Sequence, residues 1–315
     1  MKFEAGEEVS VDGIKYELKS PSVNDYEELR HYFMLRRPET SDSNIFSLFL
    51  WNRCYPSLYI RTEKGILFVT KDGSGGYYSV TPFCKDEDMK DCFVLLKKLY
   101  NNSFGKKLVV DLCDSKALKL LNLSEDEYII ERQRDFDDYI YDAEKLRTLS
   151  GKKYHKKKNH LNAFLRDYAG RYEFRTLTCS NRQEILDFLE RWIEQKDNAE
   201  GREFIYYEAA GIGEVLDCCD VLEFNVGGVY IDDKLEAFSI GCYIKEDDMV
   251  YVPVEKANPQ IRGLYNYISS EFLKRVFPHA GKVNREDDMG HEGLRKSKMS
   301  YHPIYMVEKS RIIQR

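Results

Sequence analysis

The sequence predicts an α/β fold that is used twice along the chain. Apolar residues alternate with polar ones in some segments and recur with a 3.6-residue period in others, so strands and amphipathic helices follow one another throughout. The same order of long helix, strand and short helix occurs in both halves. A chain of 315 residues is long enough for two domains of ordinary size. We therefore expect two mixed sheets flanked by helices, in residues 1–148 and 149–315.

Capping residues and periodicity predict the elements of the first half. A helix is expected from Ser22 to Arg37, with Ser22 as its N-cap. The segment GILFVTKDGSGGYYSVTPF predicts two strands around a glycine-rich turn. After it come an amphipathic helix, a buried strand, a short helix and one or two closing strands, in MKDCFVLLKKLYNN, KKLVVDLC, SKALKLLNL and EYIIERQRDFDDYIYD.

The second half predicts a similar series. SNRQEILDFLERWIEQ predicts a helix with a capping box made by Ser180 and Gln183. GGVYIDDKLEAFSIGCYI predicts a hairpin that turns at Asp232 and Asp233. The remaining elements are a strand, a helix, a strand, a short helix and a last strand, in MVYVPVE, RGLYNYISSEFLKRVF, KVNRE, GLRKSKMSY and IYMVEK.

The spacing of equivalent elements supports a duplication. The long helix, the strand after it and the short helix after that each recur about 175 residues later. The offsets are 174, 175 and 175 residues, from Met89 to Gly263, from Lys107 to Lys282 and from Ser115 to Gly290. Recurrence of order and spacing indicates one fold used twice, without any need for sequence identity between the halves.

Composition limits the classes of function. The net charge of −6 means that any site for a polyanion must be a local basic patch. The eight cysteines form no C-x-x-C pair, so we expect reduced thiols, and the six histidines lack zinc spacing, so we expect no metal site. The N-terminus does not resemble a signal peptide and no window holds 18 apolar residues. We expect a cytoplasmic protein without an integral membrane segment.

The segment NPQIRG is the first candidate for a binding site. It joins the strand VYVPVEKA to a helix, and a glycine at such a junction lets backbone N–H groups point at an anion. The candidate residues are Gln260, Arg262 and Gly263. The corresponding junction of the first half, TPFCKDEDMKD, has no glycine and four acidic residues, so the site is expected in the second half. The alternative is an ordinary turn.

The segment GKKYHKKKNHLNAFLRDY is the second candidate. As a helix it places Lys157 and Lys158 one turn before Leu161, on either side of the apolar stripe. A lysine can bury its stem and offer its ammonium at the rim of a cleft, where it would contact a phosphate or carboxylate. The alternative is a solvated charged face.

The third candidate is VNREDDMGHEGLRKSKMSY, from Val283 to Tyr301. Charges this dense between apolar segments must either pair or line a cleft. In the functional interpretation Glu286 or Asp287 handles a proton and Arg295 or Lys298 holds an anion, with Asn284 and Arg285 beside them. In the structural interpretation the same charges form an ion-pair network that ties a strand to a helix.

These three stretches resemble a bacterial family that contains the C-terminal domain of phosphatidylglycerol lysyltransferases. The residues that carry the resemblance are GKKYHKKKNHLNAF, EKANPQIRGLYNYI and VNREDDMGHEGLRKSKMSYHP, and the last is the most specific. The resemblance covers most of the chain and implies tandem GNAT-like domains related to the Fem-type aminoacyl-tRNA-dependent transferases. Residues 1–148 would be a degenerate copy and residues 149–315 would carry the site. NPQIRG fits the GNAT pyrophosphate loop at Gln260 and Gly263 and departs from it at Tyr265.

The resemblance implies transfer of an acyl or aminoacyl group to an amine or hydroxyl, such as a lipid headgroup or a small molecule. The donor would be a CoA ester or an aminoacyl-tRNA, with no tightly bound cofactor. Two alternatives stay open: a non-catalytic protein that binds tRNA or an anionic ligand, and an acyl-CoA N-acyltransferase. The identities of donor and acceptor and the oligomeric state are not given by the sequence.

Overall fold

The computed structural model describes residues 4–71, 76–195 and 202–315. The chain forms two compact units. Unit 1 comprises the chain up to Asp137 together with Val307–Arg315, and unit 2 comprises Asp138–Met306.

The elements of the first part of the chain belong to unit 1. In chain order they are β1 (Glu8–Val11), β2 (Ile14–Glu17), α1 (Tyr26–Phe33), α2 (Ile45–Trp51), β3 (Ser57–Arg61), β4 (Gly65–Lys71), β5 (Tyr77–Val80), β6 (Phe83–Cys84), α3 (Met89–Lys98), β7 (Val109–Asp114), α4 (Ser115–Leu121) and β8 (Tyr128–Arg132).

The elements that follow belong to unit 2, except for the last. They are β9 (Asp138–Asp142), α5 (Ala143–Thr148), α6 (His155–Asp167), β10 (Tyr172–Leu177), α7 (Arg182–Glu194), α8 (Arg202–Leu216), β11 (Asn225–Ile231), β12 (Lys234–Ile244), β13 (Met249–Ala257), α9 (Leu264–Arg275), β14 (Lys282–Asn284), α10 (Glu292–Met299) and β15 (Tyr305–Val307). The last strand, β16 (Lys309–Gln314), returns to unit 1.

The main sheet of unit 1 has the strand order β3-β4-β5-β7-β16-β8, with β6 paired to β4. Strands β5 and β7 are parallel and the other pairs along this path are antiparallel. A buried cluster beneath it includes Leu67, Leu96, Val110 and Ile312, each at most 1% exposed. The core of unit 1 therefore uses a side chain from the far end of the sequence.

The sheet of unit 2 has the order β10-β11-β12-β13-β14-β9-β15. Strands β13 and β14 form a parallel pair, while β10 through β13 and the β14–β9 pair are antiparallel. The β11–β12 hairpin turns at Asp232 and Asp233, both with positive φ, as the sequence predicts. Helix α9 packs against β12 and β13 and supplies Ile268 and Phe272 to the buried core.

The two sheets share a plan. Each has one parallel pair joined by a long helix, α3 between β5 and β7 and α9 between β13 and β14. Each places an antiparallel strand from a distant part of the chain beside that pair, β16 in unit 1 and β9 in unit 2. The starts of α3 and α9 differ by 175 residues, Met89 and Leu264. The order and spacing of elements that predicted a duplication are therefore present. That the two units superpose stays a prediction.

The unit boundary differs from the predicted division at 148/149. Strand β9 pairs with β14, so the residues from Asp138 onward lie with unit 2. The predicted last strand IYMVEK is divided between β15 and β16, which belong to different sheets. The alternating pattern predicts a strand correctly but does not indicate which sheet it joins.

Local details near helix starts also differ from expectation. Ser22 caps a short 3-10 turn, and α1 begins only at Tyr26. The capping box before α7 is made by Thr178 and Asn181 instead of Ser180 and Gln183, because a 3-10 turn at Cys179 precedes the α-helix. The predicted glycine-rich turn between β4 and β5 falls on residues 72–75, outside the described residues.

Two cysteines are exceptions to the expected free thiols. The sulfur atoms of Cys179 and Cys219 are in bonding contact, and their Cα atoms are 6.2 Å apart, which suits a disulfide. Within the described residues, the other six cysteines form no disulfide. The prediction of reduced thiols throughout is therefore wrong at this pair.

Candidate functional site

The candidate site lies where two parallel strands of unit 2 stop pairing. Strands β13 and β14 are in register at three positions, the last being Tyr251 opposite Asn284. Beyond it β13 continues to Ala257, whereas the chain after β14 keeps only its pairing with β9: the Arg285 N–H donates to the Tyr139 carbonyl at 3.1 Å. We call residues 252–257 and 285–288 the splay. The splay lies at the carboxyl ends of these parallel strands, the edge at which open α/β sheets bind ligands.

A buried ion pair bridges the splay. The Arg285 guanidinium lies 2.7 Å from a Glu255 carboxylate oxygen, with side chains only 15% and 10% exposed. Burial raises the pKa of Glu255, while Arg285 and a hydrogen bond from Ser269 oppose the shift. A pair this deep needs both members, since removing one leaves a buried charge without compensation.

Tyr301 forms the side of the splay next to this pair. Its ring is 5% exposed, and its hydroxyl accepts a hydrogen bond from the Asn266 amide at 2.6 Å. The Arg285 guanidinium carbon lies 5.2 Å from the ring centroid. Burial raises the pKa of Tyr301 to about 12, so the phenol stays protonated at neutral pH. The ring is thus a fixed aromatic surface held by polar contacts.

Lys157 reaches the same ring, and Lys158 does not. The Lys157 ammonium is 4.0 Å from the Tyr301 ring centroid, and the side chain is half-buried, whereas Lys158 is exposed. Burial, followed by the charge of Arg285, lowers the pKa of Lys157 to about 8, with Glu255 acting in the opposite direction. The splay therefore carries two cations and one anion: Lys157, Arg285 and Glu255.

Lys298 fixes the strand end to α10. Its ammonium donates hydrogen bonds to the carbonyl of Arg285 at 2.6 Å and to that of Asp287. Burial lowers the pKa of Lys298 to about 8, opposed by the charges of Asp287 and Glu286. Lys298 thus lies at the predicted place, but its donors are directed at main-chain oxygens.

Arg295 is held in the same way by Asp288. Two guanidinium nitrogens lie 2.9 and 2.7 Å from the carboxylate oxygens, and the Tyr139 hydroxyl also donates to this carboxylate. Asp288 is completely buried. Burial alone would raise its pKa, but the hydrogen bonds from Arg295 and Tyr139 outweigh that effect and lower the pKa to about 2. This part of the charged stretch is a structural clasp.

The predicted catalytic carboxylates lie on the turn between strand and clasp. Glu286 has a φ of 56°, and its N–H donates to the Asn284 side chain at 2.7 Å. An Asp287 carboxylate oxygen accepts the Met289 N–H at 2.9 Å. Both acidic side chains are half-buried. Their catalytic roles stay predictions.

Asn284, a predicted anion contact, is completely buried. Its amide nitrogen donates to Asp138 at 3.1 Å, and its amide oxygen accepts the Glu286 N–H. Both ends of the amide are therefore engaged within the protein.

The NPQIRG loop has a structural constraint that the sequence does not reveal. Gln260 and Arg262 are exposed. Gly263 has a φ of 83°, and a Cβ added there would lie 2.1 Å from the His160 carbonyl oxygen of α6. Tyr265, at the position where the GNAT loop has a small residue, is partly buried against the core. Gly263 thus permits close packing of α6 on the start of α9.

The structure brings together Lys157, Arg285 and Lys298 from the predicted set. Sequence reasoning missed Glu255, Tyr301, Asn266 and Asp288. Glu255 had a usable signal, because it is the one carboxylate within the otherwise apolar or basic segment VYVPVEKA. No signal in the sequence indicated Asn266, because a helical pattern does not show that one amide side chain contacts a distant tyrosine.

Two further searches cover the described ranges. Among residues 4–71, 76–195 and 202–315, no three His, Cys, Asp or Glu side chains are grouped as metal ligands would be. Within those same ranges, no helix has both the length and the apolar character needed to cross a bilayer.

Comparison with known structures identifies the fold class of the chain. A conserved protein of unknown function from Bacteroides thetaiotaomicron has the same fold, with 26% identity, a TM-score of 0.86 and coverage of 97% of this chain and 100% of that one. The structure of L-PGS from Bacillus licheniformis aligns over 91% of both chains with a TM-score of 0.62 and 11% identity. A tandem GNAT protein from the clavulanic acid biosynthesis pathway aligns with a TM-score of 0.50 and 10% identity, covering 95% of this chain and 98% of that one. The chain therefore has a GNAT-like fold.

The family follows from the sequence match. Residues 33–313 match the family model described as phosphatidylglycerol lysyltransferase, C-terminal. The chain belongs to this family. An uncharacterised protein from Mycoplasmoides gallisepticum is 26% identical over 176 residues, which is 55% of this chain and 54% of that protein. The match thus spans about half of that relative.

Proposed function

We propose that unit 2 transfers an acyl or aminoacyl group to an amine or hydroxyl, and that the reacting groups meet in the splay. The observation that carries the proposal is the pair of cations, Lys157 and Arg285, beside the Tyr301 ring where β13 and β14 stop pairing. Glu255 neutralises one of the two charges. The remaining positive charge suits a phosphate or carboxylate on a substrate.

The reaction needs no covalent intermediate on the protein. The acceptor nitrogen or oxygen attacks the carbonyl carbon of the donor ester, the leaving group departs with its electron pair, and the acceptor loses a proton. Lys157 and Arg285 would stabilise the oxyanion that forms on the carbonyl oxygen. Glu286 or Asp287 would take the proton, because both are half-buried carboxylates at the end of the splay.

An aminoacyl-tRNA suits the donor role better than a CoA ester. A pyrophosphate needs an open helix start, but α6 covers Gly263 closely and Tyr265 occupies the position of a small residue. The acceptor would be a lipid headgroup or a small molecule that carries an amine or hydroxyl. An acyl-CoA N-acyltransferase is the less favoured form of the same proposal.

The proposal is tested by supplying donors in parallel. Purified chain is incubated with radiolabelled aminoacyl-tRNA or acyl-CoA, together with phosphatidylglycerol vesicles or small amines, and labelled product is counted. We expect product with aminoacyl-tRNA and about a hundredfold loss in Arg285→Gln. Lys157→Ala should lose most activity while Lys158→Ala, its neighbour on the exposed side, keeps it. Equal losses in the two lysine variants would contradict the site.

The non-catalytic alternative has its own supporting observation. Lys298 and Arg295 are bonded to the turn that carries Glu286 and Asp287, which is also what a rigid binding surface requires. Binding of aminoacyl-tRNA that depends on Arg285, with no labelled product from any acceptor, would favour this alternative.

A further inference from the structure

Lys157 differs from its lysine neighbours in both contacts and exposure. Lys156 and Lys158 are exposed, and Lys157 is half-buried over the Tyr301 ring. Within residues 4–71, 76–195 and 202–315, no carboxylate oxygen lies within 4.0 Å of its ammonium. A half-buried ammonium with an aromatic contact but no carboxylate neighbour is not held in its charged form by an ion pair.

The groups that face this amine come from three other segments. Tyr301 follows α10, Arg285 follows β14, and Glu255 belongs to β13. Glu255 attracts the ammonium but is already paired with Arg285, whose charge repels it. A cation–π contact alone would raise the pKa of Lys157 above its ordinary value. Burial and Arg285 dominate instead, and the amine has a pKa of about 8.

We propose that Lys157 is a site of covalent acylation by acyl phosphates, small anionic acyl donors that suit the net positive charge of Lys157, Arg285 and Glu255 in the splay. The Lys157 nitrogen forms a bond to the carbonyl carbon, the bond from that carbon to the phosphate oxygen breaks, and inorganic phosphate leaves with the electron pair. The nitrogen releases its proton to solvent. The product is a neutral amide in place of a cation.

The modification would act as a switch on the site. It removes one of the two cations beside Tyr301 and leaves Arg285 paired with Glu255, so the net positive charge that favours anion binding in the splay is lost. The acylation itself does not depend on the proposed transferase reaction; only its effect on transfer does.

The test compares Lys157 with Lys158 in the same molecules. The folded chain is labelled briefly with acetyl phosphate between pH 7 and 10, digested with a protease that does not cut at lysine, and analysed by mass spectrometry. At pH 7.5 we expect Lys157 to react roughly tenfold faster than Lys158, after allowing for the lower intrinsic nucleophilicity of a less basic amine. Its rate should level off above pH 8 while that of Lys158 keeps rising.

Three outcomes decide the proposal. If the difference in rate between Lys157 and Lys158 disappears in denaturant, the folded environment of Lys157 causes that difference, and the proposal is supported. A rate for Lys157 equal to or below that of Lys158 in the folded chain overturns it, as does a pH profile that follows that of Lys158. The experiment measures the acyl adduct on lysine and not acyl transfer to an acceptor. Its result is therefore independent of whether the chain is a transferase.

Discussion

At the scale of single residues, the two cations of the candidate site differ in how their charge is compensated. Glu255 pairs with Arg285 at 2.7 Å, while Lys157 has the Tyr301 ring, a contact worth about 0.5–2 kcal/mol. The ring offsets part of the cost of taking an ammonium out of water but does not neutralise it. An anionic substrate group would complete the arrangement and raise the pKa of Lys157 on binding.

Glu286→Gln and Asp287→Asn test the predicted proton acceptor. Both substitutions keep the size of the side chain and one acceptor oxygen, which in Asp287→Asn can still accept the Met289 N–H. We expect unfolding free energies within about 1 kcal/mol of the parent, because both side chains are half-buried. One of the two should lose transfer by a hundredfold or more.

Product formation and chemical denaturation measured on the same preparations separate the two roles. If both variants unfold much more easily yet transfer at the parental rate, the turn is structural and the base lies elsewhere.

Asp288→Asn tests the clasp through its pH dependence. The folded pKa of Asp288 is about 2, below its ordinary value, so its ionised form stabilises the fold above about pH 4. That contribution is lost as the pH falls through 2. We expect the variant to be at least about 2 kcal/mol less stable at pH 7, with this difference in unfolding free energy narrowing between pH 4 and pH 2.

Urea denaturation at several pH values measures this gap. Glu292→Gln is the control, since its pair with Lys296 is exposed and should contribute little at any pH. A gap for Asp288→Asn that does not change with pH would show that the carboxylate is not the source of the stability.

At the scale of elements, the packing of α6 on the start of α9 places Lys157 beside the splay. Gly263→Ala should disturb that packing, because its φ is 83° and its Cβ would meet the His160 carbonyl oxygen at 2.1 Å. We expect a loss of at least about 2 kcal/mol in unfolding free energy. A pKa of Lys157 closer to its ordinary value, measured by trace labelling, should accompany it.

Gly293→Ala is the matched control within α10. A Cβ there meets nothing within 4 Å, so we expect stabilisation by a few tenths to about 1 kcal/mol. Equal behaviour of the two glycine variants in thermal unfolding would mean that α6 moves aside without cost.

The elements of unit 2 show which features sequence patterns can predict and which they cannot. Periodicity predicted α9 and the β11–β12 hairpin, because the information for them is local. It also predicted KVNRE as one strand, yet pairing with β13 ends at Asn284 while pairing with β9 continues to Arg285. The splay arises because the chain keeps only one of its two neighbouring strands. Arg285 and Lys157 were predicted as charges near apolar positions, whereas Glu255 and Tyr301 became part of the site only through contacts between distant segments.

At the scale of the whole molecule, unit 1 is completed by the C-terminal segment of the sequence. Ile312 on β16 is fully buried, and Ile313 on the opposite face is partly exposed. Ile312→Ala should cost about 2–5 kcal/mol and Ile313→Ala much less. Hydrogen exchange should show faster exchange in β7 and β8 for the first variant, with unit 2 unchanged. Equal exchange in both units would mean that they unfold together.

The position of β16 has a consequence for synthesis on the ribosome. Unit 1 lies mostly at the start of the sequence, but β16 stands between β7 and β8 in its sheet and is translated after all of unit 2. At 5–20 residues per second, translating Asp138–Met306 takes roughly 10 to 30 seconds. During that interval β7 and β8 lack their shared neighbour, and their unpaired edges can bind other strands. Unit 2 can therefore finish folding first, which reverses the usual order from N-terminus to C-terminus.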